Sequence, residues 1–169
     1  MQIVADTSAL VSLGTVADHT WNPLDHLLAT HTITVPTLIF GELEETAAYD
    51  DASGQGAKQV LNRQEDFDER AVDLDDSFPL DDGENAAVTL TNELNATQFL
   101  CDEFNRLAII HASLVDTRLV TTPMLLVALV RNGIVSPADA ESLLDEMSTA
   151  RSWSKNTYVK RARAVLNSQ

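Results

Sequence analysis

The chain has one cysteine, Cys101, in 169 residues, so no intrachain disulfide can form. Its first residues lack a basic segment followed by an apolar stretch and a small-residue cleavage site, the pattern of a secretory leader. The longest strongly apolar run, Met124 to Val130, ends at Arg131 and falls far short of the ~20 residues that cross a bilayer. Together these absences predict a cytoplasmic protein with no membrane contact. A chain of this length is expected to be mainly one domain that buries roughly 70% of its unfolded surface and needs no disulfide or metal to build a core.

Positive charge is also scarce. Eleven Lys and Arg face 26 Asp and Glu, for a formal net charge of −15. Such a surface repels a polyanion, which argues against nucleic acid as a partner. The distribution weakens that argument, because residues 151–169 carry Arg151, Lys155, Lys160, Arg161 and Arg163 and no acid, leaving −20 on the body and +5 on the tail. Lys58 is the one lysine of the body, and an acid-rich, lysine-poor surface suits a very salty cytoplasm. In high salt the Debye length falls to about 3 Å or less, and repulsion of RNA is largely screened.

A nucleophilic Ser or Cys with a His partner is missing as well. His19, His26 and His31 are spaced by seven and five residues, which is not a helix-face pair, and His111 sits beside apolar Ile110. All four read as structural or surface residues. A strand-end Asp nucleophile for phosphoryl transfer wants a second Asp two residues on, where this chain has Ser8.

What is present is an alternation of short apolar strands and amphipathic helices. Ile3–Ala5, Thr32–Val35, Thr97–Cys101 and Arg118–Thr121 read as strands, with an edge strand near 71–74. Helices are expected over 8–13, 21–28, 36–47, 57–64, 84–95, 107–114, 122–133 and 136–147, with 50–54 as a loop. The acid-rich stretch 65–84 reads as solvated surface. This order predicts an α/β fold, three layers deep, around a central, mainly parallel sheet. Residues 1–150 form the expected domain, and 151–169 a basic tail, helical and packed on it.

Four acids stand out by position. Asp6 follows the first strand and Asp102 the strand ending at Cys101, so both belong to the carboxyl edge of a parallel sheet, where open α/β sheets bind ligands. Glu42 lies on the helix after Pro36, and Glu84 opens another. Three have a simpler use: Asp6 as a helix cap, Glu42 as a solvated charge beside Glu44 and Glu45, and Glu84, three residues after Asp81, as its partner in a capping box. Glu103 is a ligand beside Asp102 or a first-turn charge. Arg106 reads as an i,i+4 partner of Asp102 or as a contact to phosphate. Converging carboxylates about 4 Å apart repel by about 4 kcal/mol at an effective dielectric of 20, so such a cluster calls for a hard cation or for raised pKa values.

The stretches IVADTSALVSL, VPTLIFGELEET, DDGENAAVTLTNEL, FLCDEFNRLAI and LVTTPMLLVALVRNGIV resemble, in order, those of PIN-domain proteins, a superfamily of metal-dependent nucleases that includes the VapC-type toxins. The likeness is to short prokaryotic members with a G-E-x-x-A helix. It implies a PIN-like fold, Mg2+ or Mn2+ held by Asp6, Glu42, Glu84 and Asp102 with Glu103 beside them, and support from Thr7, Ser8 and Thr121. It also implies an endoribonuclease using a metal-activated water, a role as the toxin of a toxin–antitoxin pair, an antitoxin partner and a homodimer. Many nuclease members carry Asp where this chain has Glu84; the alternative is a degenerate pocket that binds RNA or a protein without cutting. The tail residues Lys155, Lys160, Arg161 and Arg163, with Arg106, are the expected contacts to RNA phosphate or to a partner.

Overall fold

A computed structural model describes residues 1–168. Strand β1 (Gln2–Ala5) leads to helices α1 (Thr7–Gly14) and α2 (Pro23–Thr30), then to β2 (Thr32–Pro36), α3 (Thr37–Ala47) and α4 (Ala52–Leu61). A short 3-10 turn precedes β3 (Asp68–Arg70), and α5 (Asp82–Glu93), β4 (Gln98–Leu100), α6 (Leu107–Ser113) and β5 (Arg118–Val120) follow. Helices α7 (Thr122–Arg131), α8 (Pro137–Ala150) and α9 (Thr157–Leu166) complete the order.

The strands form one five-stranded sheet, β3-β2-β1-β4-β5, parallel throughout. Its two faces are read off β1 by the period of two. Ile3 and Ala5 enter a core with Leu10, Leu13, Ile39, Leu126 and Leu144, whereas Val4 joins Phe99, Cys101, Ala87, Val88 and Ile110 on the opposite side. Helices therefore cover both faces, and the architecture is the three-layer α/β/α fold expected. Strand order reverses at β1, whose neighbours are β2 and β4, so the crevice between the carboxyl ends of β1 and β4 is the topological switch point.

Two expected elements lie elsewhere. Helix α4 starts at Ala52 rather than near 57, because Asp51 caps it by accepting the Gly54 N–H at 2.7 Å. Its glycines serve close approach: a β-carbon on Gly14 of α1 would lie 2.1 Å from the Gly56 carbonyl oxygen. The edge strand is 68–70, not 71–74; Thr34 pairs with Asp68 in register, and buried Phe67 anchors the strand where Ala71–Leu74 has no buried residue.

The basic tail contributes to the core. Asn156 caps α9, whose Val159, Ala162 and Leu166 are buried against α7 and α8. Among the described residues no helix is long and apolar enough to cross a membrane.

Candidate active site

Pairing of Ala5 with Leu100 brings the residues after β1 and β4 out at one edge. Asp6 donates its backbone N–H to the Leu100 carbonyl at 3.1 Å, and its side chain turns back to cap α1, accepting the Ala9 N–H at 3.0 Å. The same carboxylate accepts the Ser8 hydroxyl at 2.8 and 2.9 Å and the Cys101 thiol at 3.0 Å. Ser8 Oγ in turn accepts the Asp102 N–H at 2.9 Å, so one hydroxyl joins the two strand ends. Capping and site membership are thus not alternatives for Asp6.

Asp102 is held from the β5–α7 junction. Thr122 donates its backbone N–H at 2.8 Å and its hydroxyl at 2.6 Å, one to each carboxylate oxygen. Asp6 and Asp102 are 4% and 5% exposed.

In front of this buried pair lies a cleft of about 80 Å3 lined by Asp6, Thr7, Ser8, Ile39, Glu42, Asp81, Glu84 and Glu103. Thr7 donates its hydroxyl to Glu42. Glu42 lies over the first turn of α5, where a β-carbon on Gly83 would sit 2.1 Å from its Oε1, so glycine leaves the room the carboxylate occupies. Asp81 and Glu84 form the capping box foreseen from their spacing. Glu84 is also the acceptor for Arg106, whose Nε lies 2.7 Å from Oε1 and 2.9 Å from Oε2.

Electrostatics mark the cluster as short of positive charge. Burial drives Asp6 from 3.8 up to about 7, against the hydrogen bonds from Cys101, Ala9 and Ser8 that favour its anion. Burial likewise raises Asp102, opposed mainly by Thr122. It raises Glu42, opposed by Thr7 and reinforced by Asp81, Glu45 and Glu84. Glu103 is raised by burial and then by Glu84, with Arg151 opposing. The Cys101 thiol is pushed far up by burial and by Asp6, so it stays protonated and acts as a donor rather than a nucleophile.

The donor set fits a hard divalent cation: carboxylates and hydroxyls, with the one sulfur protonated. The side-chain arrangement is not a finished cage. Among the described residues no group of three or more His, Cys, Asp or Glu is placed to hold a metal ion. Hydrogen bonds engage both oxygens of Asp6 and of Asp102, while the Arg106 guanidinium occupies Glu84 as a stand-in cation. Mg2+ commonly keeps several waters and takes only one or two carboxylates, which lowers the demand on preformed geometry.

Of the residues foreseen for this site, Asp6, Thr7, Ser8, Glu42, Glu84 and Glu103 line the cleft, and Asp102 lies behind it. Thr121 does not serve the carboxylates: it caps α7, accepting the Met124 N–H at 3.4 Å, and the contact to Asp102 falls to Thr122. Arg106 pairs with Glu84 instead of Asp102, because 102–106 is not helical and the i,i+4 geometry does not exist there. Asp81 and Cys101 join the site without having been singled out for it. None of the four histidines lines the cleft. In the tail, Arg163 pairs with Asp145 of α8, while Lys155, Lys160 and Arg161 are exposed and make no ion pair among the described residues.

No curated protein matches this chain. The model of a family described as the PIN domain matches residues 2–168, nearly its whole length, and the chain belongs to that family.

Proposed function

We propose that this PIN-domain protein is a divalent-metal-dependent endoribonuclease, with Mg2+ or Mn2+ held by Asp6, Glu42, Glu84 and Asp102 and with Glu103 beside them. The observation that carries the proposal is the gathering of buried and half-buried carboxylates at the switch point of a nuclease-type fold, with the pKa values of Asp6, Asp102, Glu42 and Glu103 raised chiefly by burial. A bound ion supplies the chemistry, by lowering the pKa of water, polarising the scissile phosphate and stabilising the leaving oxygen. The chain's own part is orientation. Ser8 and the Ala9 N–H fix Asp6, Thr122 fixes Asp102, and Thr7 fixes Glu42. No side-chain nucleophile is needed. Incubation of a mixed RNA pool with Mn2+ or Mg2+ tests the proposal; cleavage that EDTA stops supports it, and intact RNA under both metals refutes it.

One observation favours a second reading, a PIN-like module that binds RNA or a protein without cutting. The Arg106–Glu84 pair already neutralises one of the assigned ligands. Calorimetric Mn2+ titration separates the two, because only the nuclease reading requires binding that Asp6→Asn abolishes.

Within the nuclease reading, the likeness to VapC-type toxins supports a place in a toxin–antitoxin pair, with an antitoxin as partner and a homodimer as the working state. The lone buried thiol of Cys101 suits the reducing cytoplasm. The basic stretch 151–169 acts in this proposal as an added helix on a domain formed by 1–150.

A further inference from the structure

An open slot of different character lies among α6, β5, α7 and α9. It measures about 350 Å3 and is lined by Leu107, Ala108, His111, Leu119, Thr121, Met124 and Tyr158. In a chain with 26 acids, none is among these seven residues. The size falls in the range of ~300–1,000 Å3 usual for ligand sites, and the lining is apolar with a few polar tips, the imidazole of His111 and the hydroxyls of Thr121 and Tyr158.

Tyr158 sets the character of the slot. Its ring stacks on Phe104, with centroids 5.4 Å apart and planes 24° apart, and Phe104 meets Trp153 edge-on at 5.2 Å. Trp153 is buried, whereas Tyr158 is 41% exposed. The ring is therefore braced from behind by a packed aromatic ladder while part of it stays open to solvent. A braced, half-exposed tyrosine loses little freedom when a flat ligand lies on it.

Positive charge stands next to it. Arg161 follows Tyr158 by three positions on α9 and so shares its side of the helix, and Lys155 precedes it in the loop that enters α9. Both are exposed and outside any ion pair among the described residues, unlike Arg163, which Asp145 holds. Two backbone links connect the slot's surroundings to those of the acidic cleft: Phe104, which braces Tyr158, follows Glu103, and Thr121 precedes Thr122, the residue that grips Asp102.

We infer that this slot is a nucleobase subsite, in which a base of single-stranded RNA stacks on Tyr158 while Arg161 and Lys155 hold the adjoining phosphates. The inference rests on the nucleic-acid part of the proposed function and not on cleavage. Stacking demands an unpaired base, so the substrate class is single-stranded RNA; a duplex keeps its bases away from the ring. Base stacking also gives an acidic protein a means of binding RNA that salt does not screen, leaving to two cations only the register of the backbone.

Fluorescence anisotropy in EDTA isolates binding from cutting. The probes are a short labelled single-stranded oligoadenylate, the same strand paired with oligouridylate, and an abasic ribose-phosphate strand of equal length. The wild-type chain binds the oligoadenylate about tenfold more tightly than the abasic strand, and binds the duplex no better than the abasic one. Tyr158→Ala removes this preference, Tyr158→Phe keeps it, and Arg161→Gln lowers the salt slope by about one. Equal wild-type affinity for base-bearing and abasic strands overturns the inference without need of any variant. So does a preference that survives in Tyr158→Ala, or the absence of all binding. A change of sedimentation in Tyr158→Ala with RNA affinity unmoved also overturns it and makes the slot a contact between copies. Cleavage assayed separately with Mn2+ shows whether the nuclease proposal fails while the subsite stands, or the reverse.

Discussion

Replacing Asp6 by Asn should stabilise the metal-free protein at neutral pH and slightly destabilise it in acid. The side chain is buried and its pKa is raised from 3.8 to about 7. Between those values the folded state holds a proton that the unfolded state has released, so stability is full below about pH 4 and falls as pH rises through about 7. At roughly 1.4 kcal/mol per pH unit, the wild type loses about 4 kcal/mol across that window. Asparagine escapes the loss. Its oxygen keeps the Ala9 N–H that Asp6 Oδ1 accepts at 3.0 Å, and its amide faces Ser8 Oγ and Cys101 Sγ, which serve as acceptors. Rearranging those bonds costs on the order of 1 kcal/mol at any pH, so the variant should gain about 3 kcal/mol near pH 8 and lose about 1 kcal/mol near pH 4. Urea unfolding in EDTA at a series of pH values measures this directly. Parallel pH dependence in wild type and variant would refute the claim that Asp6 is the strained acid.

Three further outcomes follow from the same contacts. Arg106→Gln leaves Glu84, whose side chain is 6% exposed, without its cation; the metal-free fold should lose about 1–3 kcal/mol while Mn2+ binds more tightly by calorimetry, and weaker binding would show that Arg106 does not compete with the ion. Gly83→Ala should change stability by less than about 1 kcal/mol, since only the mobile end of Glu42 must move, yet lower metal affinity by displacing that carboxylate from Thr7. Thr122→Val should cost about 1–2 kcal/mol in urea titrations and raise the Asp102 pKa further, a larger effect than Thr121→Val, which removes only a long 3.4 Å cap bond.

Much of this arrangement was legible because apolar runs ended abruptly in acids. Val4-Ala5-Asp6 and Leu100-Cys101-Asp102 declared both strands and their carboxyl edge, and Asp81 with Glu84 declared a capping box that the structure forms. Strand β3 stayed hidden because Asp68-Glu69-Arg70 joins the sheet mainly by backbone pairing and shows no apolar alternation. Gly54 and Gly56 disguised α4, since their value lies in close approach, Gly54 to the Tyr49 carbonyl and Gly56 to α1, and not in helix propensity. At the β5–α7 junction, Thr121 and Thr122 are chemically identical neighbours, and only the turn of the chain decides which one reaches Asp102. The Arg106–Glu84 pair spans 22 residues, a distance at which side-chain spacing carries no signal.

The central claim is that these carboxylates hold a metal ion that cuts RNA. Its most direct test is single-stranded RNA incubated with Mn2+ and the purified chain, beside Asp6→Asn and Asp102→Asn variants whose thermal melts show them folded. The account predicts cleavage by the wild type, none with EDTA, and a loss of at least about a hundredfold in each variant, the scale of removing one group that acts on charge at the reacting phosphate. A wild-type chain that leaves RNA intact, or variants that cut it as fast as the parent, would contradict it.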